Sequence, residues 1–154
     1  MGWLAQLMYH ALVWKERQRA HLFRTLPGTQ RGMPDHLETG QRGETLAYWF
    51  LRHEGYTIVA RNRRARSGAG EVDLIGWDGP VLAFVEVKTR TSLEAGLPEA
   101  AVSKTKQKRV AKAAADYVRR LGRKPLNYRF DIVSILWDPV HGLRARLIKD
   151  AFKG

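Results

Sequence analysis

The sequence predicts an α/β domain in which helices cover a sheet on both faces. Residues 81–88 form a nearly continuous run of Val, Leu, Ala and Phe, which is typical of a strand buried on both sides. Asp78-Gly79 separates this run from an apolar stretch at 71–77, a strong hairpin signal. Helical spacing of apolar residues appears before and after the hairpin. The predicted order is therefore helix, three strands, helix and two strands.

The first half of this order begins with a helix over about residues 40–54. Leu46, Ala47, Phe50 and Leu51 recur at helical spacing, and Gly55 supplies a left-handed C-terminal cap. Residues 56–61 alternate as a strand, 62–70 form an Arg- and Gly-rich loop, and strands follow over 71–77 and 81–90.

The second half begins with a helix over about 104–121, which Ser103 caps and Gly122 terminates. Its inward positions are apolar: Val110, Ala114, Tyr117, Val118 and Leu121. A strand over 128–137 and a short strand over 143–149 complete the order. Residues 1–37 differ in character, so we divide the chain into an N-terminal extension, 1–37, and a domain, 38–154.

The hairpin gathers charged side chains on one face. Pro80 cannot donate a closing hydrogen bond, so the loop has two or four residues, and in both cases position 71 faces 86 and 73 faces 84. Glu86 and Lys88 then share a face with Asp73, and Asp73 becomes a diagonal neighbour of Glu86, at about 7–8 Å between strand positions.

Charged groups in such strands need neutralisation, because desolvating an unpaired carboxylate is costly. Oxygen ligands such as Asp73 and Glu86 suit Mg²⁺ or Mn²⁺. A lysine at position 88 could orient an attacking water, act as a base or stabilise the transition state of phosphodiester hydrolysis. The alternative is an ion pair between Glu86 and Lys88 on an exposed strand face.

Three further polar residues lie near this face. Glu44, on or beside the inward side of the first helix, either completes a metal shell or caps its own helix. Glu71 is expected to pair with Lys88 or Arg90 rather than to bind metal. Gln107 faces inward at the positive N-terminal end of the second helix.

The charge balance favours a polyanionic partner. The chain has 27 Lys and Arg against 15 Asp and Glu, a formal net charge of +12, so nucleic acid is the first expectation and an anionic membrane surface the second. The helix lysines could also form only a solvated face. The expected nucleic-acid-binding residues are Arg61, Arg63, Arg64, Arg66, Arg90, Lys104, Lys106, Lys108 and Arg109.

Composition also limits compartment and chemistry. The absence of cysteine excludes disulfides, thiol catalysis and cysteine-based zinc sites, and suits a cytoplasmic protein. No apolar run approaches the roughly 18 residues of a membrane span.

In the extension, Trp3, Leu7 and Leu12 fall near helical spacing, which fits an amphipathic helix at a membrane surface or partner. The alternatives are a disordered leader or a translation start at Met8 or Met33. Homodimerisation stays open.

Several ordered stretches between about residues 40 and 135 carry a family resemblance. The sequence resembles the bacterial YraN-like family, a branch of the PD-(D/E)XK nuclease superfamily that is related in fold to archaeal Holliday-junction resolvases. The matching stretches are Arg42-Gly43-Glu44, Gly55-Tyr56, Ala60-Arg61-Asn62, Gly70-Glu71-Val72-Asp73-Leu74-Ile75, Phe84-Val85-Glu86-Val87-Lys88-Thr89-Arg90, Lys106-Gln107 and Arg129-Phe130-Asp131.

This resemblance implies a restriction-endonuclease-like core, a mixed sheet flanked by helices. Asp73, Glu86 and Lys88 match the superfamily's catalytic acid, acid and lysine, Glu44 matches its helical acid, and Gln107 matches an accessory position. A Mg²⁺- or Mn²⁺-dependent endonuclease acting on DNA, selective for branched or flapped forms, is implied. The loop at 62–70 is longer than usual, and Val72 stands where the superfamily's nominal proline would be. The alternative is a nucleic-acid-binding protein that keeps the fold without turnover.

Overall fold

A computed structural model describes residues 2–25, 36–68, 70–90, 102–122, 125–138 and 142–154. Within these residues the chain forms three helices and five strands. They are α1 (Gly2–Thr25), α2 (His36–His53), β1 (Thr57–Arg64), β2 (Glu71–Asp78), β3 (Val81–Arg90), α3 (Lys104–Arg120), β4 (Asn127–Asp138) and β5 (Gly142–Phe152). From α2 onward, this is the element order that the sequence predicts.

The five strands form one mixed sheet in the order β1-β2-β3-β4-β5. β3 and β4 are parallel, and the chain passes between them through α3. The other neighbouring pairs are antiparallel. The α/β class is thus confirmed, and the parallel pair requires the long crossover that α3 supplies.

Helices cover both faces of the sheet, which explains why β3 reads as continuously apolar. On one face, Val110 and Ala114 of α3 pack with Phe84 and Phe130. On the other face, α2 packs against β2, β3 and β4. The buried residues there are Leu46, Ala47, Phe50, Leu51, Leu74, Ala83, Val85, Val133 and Ile135.

The β2–β3 hairpin differs from the predicted register by two residues. Asp78 pairs with Val81 and Ile75 with Phe84, so 73 does not face 84. The loop is Gly79-Pro80, and Gly79 has a φ of 57°, as the first position of a II′ turn requires. Val81, not Pro80, closes the turn, so the missing proline N–H costs nothing. The register error is an even number of residues, so each side chain still lies on the predicted face of the sheet.

The arginine-rich segment is also more regular than predicted. β1 runs to Arg64, so Arg63 and Arg64 lie on an edge strand, with Arg61, rather than in a loop. Pairing with β2 satisfies one side of the backbone, while the long side chains of an edge strand remain in solvent. β5 likewise extends beyond the predicted 143–149, to Phe152.

The N-terminal segment contains a helix, α1, that packs against α2. Glu16 of α1 is buried and forms an ion pair with Arg42 of α2, whose guanidinium lies 5.5 Å from the Trp137 ring centroid. Trp3 and Trp14 are exposed. Residues 26–35, Met33 among them, lie outside the described residues. No described helix is both long enough and apolar enough to cross a membrane.

Candidate active site

An acidic pair lies where the pairing of β2 with β3 ends. The paired positions run from Asp78–Val81 to Leu74–Val85, and one further step in this register places Asp73 opposite Glu86. The Asp73 carboxylate accepts a hydrogen bond from the Val87 backbone N–H at 2.7 Å. A side chain therefore satisfies a backbone donor at this end of the hairpin, and the two carboxylates are neighbours.

Glu86 is almost completely buried, with 2% of its surface exposed. Its Oε1 atom contacts the Lys88 ammonium at 2.9 Å and the Lys106 ammonium of α3 at 3.2 Å. Its Oε2 atom is buried and has no hydrogen-bond partner in the part of the chain that the structure describes. The exposed ion pair considered for Glu86 and Lys88 is therefore wrong in one respect: the pair exists, but the carboxylate is inside the protein.

The pKa of Asp73 reflects its burial and its position beside Glu86. Burial and, after it, the charge of Glu86 raise the pKa of Asp73 to about 7, against the opposing effects of the Val87 N–H and Lys106. Glu44 also raises this pKa, so α2 brings a third acid within electrostatic range. Two lysines do not fully neutralise the acidic pair.

These features fit a divalent cation held by Asp73 and Glu86. An unpartnered buried oxygen on Glu86 and a destabilised carboxylate on Asp73 both gain from a hard positive ion. Among the described residues, no three acidic or imidazole groups converge closely enough to hold a metal ion, and ligation by Glu44 stays a prediction. Water or a phosphate oxygen would have to complete the coordination, as is usual for Mg²⁺.

Gly43 explains how α2 comes so near this end of the sheet. A Cβ atom at position 43 would lie 1.9 Å from the Thr89 hydroxyl oxygen of β3. Any larger residue at this position would require the Thr89 side chain to move. The Arg42-Gly43-Glu44 stretch thus sets the helix against the strand that carries Glu86 and Lys88.

Two of the other predicted site residues have structural contacts. The Gln107 side-chain amide donates to the Val102 carbonyl at 2.9 Å, beside the predicted Ser103 cap, whose hydroxyl accepts from the Lys106 N–H at 3.2 Å. Glu71 pairs with Arg64 of β1 at 3.1 Å, a partner that the sequence did not suggest. Lys88 instead contacts Glu86.

The predicted nucleic-acid-binding residues separate into groups. Arg64, Lys106 and Arg109 line a cavity of about 320 Å³, and of these Lys106 also contacts Glu86. Arg63 lines a second cavity of about 200 Å³. Arg61 stacks on Tyr48 of α2, with 5.1 Å from guanidinium to ring centroid. Lys104 and Lys108 are exposed on α3, Arg66 lies in the β1–β2 loop, and Arg90 ends β3.

Sequence reasoning missed two features. Lys106 was assigned only to the surface of α3, although its ammonium reaches the buried Glu86; residue spacing gives no signal for a contact between a helix and a strand. The second is a cluster around the buried Asp131 that we call the Asp131 network: Tyr56, Asp78, Arg129, Asp131 and Lys149. The Gly55-Tyr56 and Arg129-Phe130-Asp131 stretches could have indicated it.

The fold and site together define a class: a mixed α/β domain with an acidic pair, one member of it buried, and two lysines at one end of a helix-covered sheet. Residues 43–135, which include the pair, match the family described as "Uncharacterised protein family UPF0102". The chain belongs to this family. This finding confirms the YraN-like part of the resemblance, while membership of the nuclease superfamily stays a prediction.

Relatives in several organisms share most of the chain. A UPF0102 protein of Koribacter versatilis is 50% identical over 105 residues, covering 68% of this chain and 73% of the relative. One of Solibacter usitatus is 54% identical over 97 residues, covering 63% and 74%. One of Symbiobacterium thermophilum is 50% identical over 113 residues, covering 73% and 94%. Their names state the family alone.

Proposed function

We propose that this protein is a Mg²⁺- or Mn²⁺-dependent endonuclease that hydrolyses phosphodiester bonds, with a restriction-endonuclease-like core. The observation that carries the proposal is the pair of half-buried Asp73 and buried Glu86. It includes a carboxylate oxygen without a partner among the described residues, and its contact Lys106 also lines a cavity with two arginines. Structural ion pairs rarely leave a buried oxygen unsatisfied, so this one is better explained by a ligand.

The chain's own residues divide the work of hydrolysis. Asp73 and Glu86 would hold the divalent ion, which, when bound, supplies positive charge for the phosphate oxygens and acidifies water. Lys88, 2.9 Å from Glu86, can direct its ammonium at a phosphate oxygen or at the attacking water. Lys106, on the neighbouring helix, can exchange its contact with Glu86 for one with the substrate phosphate. Both lysines thereby stabilise the charge that grows in the transition state.

The position of the pair in the sheet also supports a catalytic role. β3 and β4 are parallel, and Glu86 and Lys88 lie in the C-terminal half of β3. In α/β proteins, ligands bind outside the carboxyl ends of parallel strands, where the crossover helix begins. The PD-(D/E)XK resemblance places its acid and lysine on the same strand, which agrees with this geometry.

The test is a cleavage assay on labelled four-way junction, flap, duplex and single-stranded DNA and on RNA, in Mg²⁺, Mn²⁺ or EDTA. We expect metal-dependent cleavage that Asp73→Asn or Glu86→Gln reduces to background, while nucleic-acid affinity is kept or strengthened because carboxylate repulsion is removed. Asp150→Asn, an exposed aspartate of β5, is the matched control and should cleave normally. Wild-type turnover in Asp73→Asn would overturn the metal assignment.

A second candidate is a nucleic-acid-binding protein without turnover. The observation that favours it is the double contact of Glu86 Oε1 with Lys88 and Lys106, because two ammonium groups already neutralise much of the charge that a metal would offset. Chelator-insensitive binding without cleavage in either metal would support this candidate over the nuclease.

A further inference from the structure

Two cavities between the edge strand β1 and helix α3 have Arg64 in common, and together we call them the groove. The first, about 320 Å³, is lined by Arg64, Gly68, Gly70, Glu71, Lys106 and Arg109. The second, about 200 Å³, is lined by Arg63, Arg64, Ala113, Asp116, Tyr117, Arg120 and Leu121. Arg64 belongs to both, so the cavities share a wall. Lys106 also contacts Glu86, so the groove begins at the proposed active site.

One stripe of α3 faces this groove. Lys106, Arg109, Ala113 and Arg120 follow one another at intervals of three, four and seven residues, which places them on the same side of a helix. Lys104 and Lys108 lie on a different side and are exposed. The groove therefore uses a distinct subset of the cations on α3.

The two cavities differ in chemistry. The first has three cationic side chains, which suits a phosphate group. The second combines the apolar or aromatic side chains of Ala113, Tyr117 and Leu121 with arginines, which suits a sugar and base. Acidic groups at the groove have partners in the protein: Glu71 pairs with Arg64, and Asp116 accepts from the Arg66 backbone N–H at 3.1 Å and pairs with Arg119 and Arg120.

The wall of the groove is held by backbone contacts. In the β1–β2 loop, Ala65 N–H donates to the Gly70 carbonyl and Gly68 N–H to the Ala65 carbonyl, both at 2.9 Å. A Cβ atom at position 70 would lie 2.0 Å from the Arg109 carbonyl oxygen, so this glycine lets the loop rest on α3. A site whose backbone is already ordered before binding loses less conformational entropy when a ligand binds.

We propose that this groove binds a single strand of nucleic acid, with a backbone phosphate in the first cavity and the attached base in the second. A duplex keeps its bases stacked and paired, so it cannot place a base in a side cavity, whereas an unpaired strand can. The inference rests on the proposed nuclease function for one consequence: substrates with a single-stranded arm, such as flaps, would be cut next to the duplex that the arm leaves.

Binding measured in EDTA tests the groove separately from catalysis. The probes are a labelled oligothymidine, an abasic strand of equal length, and a blunt hairpin duplex whose loop is a non-nucleotide linker and whose number of phosphates is equal. Wild-type protein should bind oligothymidine roughly tenfold more tightly than the abasic strand, as base stacking on protein side chains predicts. Arg64→Ala should weaken oligothymidine binding several-fold, reduce its salt slope by about 0.7, and leave hairpin binding unchanged.

Arg144→Ala is the matched control. Arg144 is an exposed arginine of β5, at the opposite edge of the sheet, so this variant loses the same charge without touching the groove. Equal binding of oligothymidine and abasic strand, or equal weakening of oligothymidine and hairpin by Arg64→Ala, would overturn the proposal. Neither readout needs metal or cleavage, so the two proposals can fail separately. Base-dependent binding by a protein that does not cleave would contradict only the nuclease function. Duplex cleavage without base-dependent binding would contradict only the proposed groove.

Discussion

The two aspartates of β2, Asp73 and Asp78, lie in opposite electrostatic surroundings. Hydrogen bonds from Lys149 and Arg129 hold the pKa of Asp78 below its usual value. Burial and the charge of Glu86 raise the pKa of Asp73 to about 7. The same residue type on the same strand is thus stabilised as an anion at one end and destabilised as an anion at the other.

The Asp131 network at the Asp78 end satisfies its buried acid. Asp131 is fully buried, and its carboxylate accepts from Arg129 at 2.8 Å, from the Asp150 N–H at 2.9 Å and from the Tyr56 hydroxyl at 3.0 Å. Arg129 also reaches Asp78 at 2.6 Å. Charges with this many partners stabilise a structure and have little capacity left for a ligand. By contrast, the unsatisfied Asp73–Glu86 end is suited to binding.

Breaking the Asp131 network should have the largest effect on stability. Asp131→Ala would remove one of the two carboxylates that pair with the Arg129 guanidinium, whose side chain is 17% exposed. It would also remove the acceptor of the Tyr56 hydroxyl and of the Asp150 N–H. We expect a loss of about 3–5 kcal/mol in the free energy of unfolding, as for other buried pairs that lose one partner, measured by urea denaturation. Asp150→Asn keeps the backbone N–H that donates to Asp131 and should change little. A loss below about 1 kcal/mol would show that the network is not a structural element.

The opposite change is expected at Asp73. Because the folded pKa of about 7 exceeds the unfolded reference of 3.8, the protonated carboxyl favours the folded state below about pH 4, and this contribution is lost as the pH rises through 7. Asp73→Asn mimics the neutral form. In EDTA at pH 8 the variant should be more stable than wild type by about 2 kcal/mol, less than the full linkage because the amide oxygen accepts more weakly from Val87.

Thermal unfolding from pH 4 to pH 8 measures this difference. The stability gap between Asp73→Asn and wild type should open between pH 4 and 7 and stay constant above. Added Mn²⁺ should raise the Tm of wild type and narrow the gap, with no rise in the variant, because a bound ion replaces the missing proton. A gap independent of pH would mean that Asp73 is not a destabilised carboxylate.

The sequence predicted the elements and faces of this site better than its contacts. Two-residue periodicity placed Asp73, Glu86 and Lys88 on one face, since parity is independent of loop details. The register was wrong because turn closure depends on Val81 and not on Pro80. The Lys106–Glu86 contact and the Asp131 network join elements far apart in the chain, where spacing carries no information. Arg63 and Arg64 likewise belong to an edge strand because they pair with β2. The Arg- and Gly-rich composition carries no information about that pairing and suggested a loop.

The smallest expected effect is on nucleic-acid binding and concerns the cationic residues at the two ends of β2 rather than the acidic ones. The Asp78 end uses Arg129 and Lys149 internally, whereas Lys104 and Lys108, beyond the Asp73 end, are exposed and available to an external polyanion. Lys104→Glu with Lys108→Glu should weaken duplex binding modestly and reduce its salt slope by about 1–2.

Arg144→Glu with Arg146→Glu, both exposed on β5, is the matched charge reversal and should leave more of the slope intact. If the two pairs behave alike, the outward face of α3 is only a solvated surface, and specific binding at this end depends on the groove cations that face Glu86.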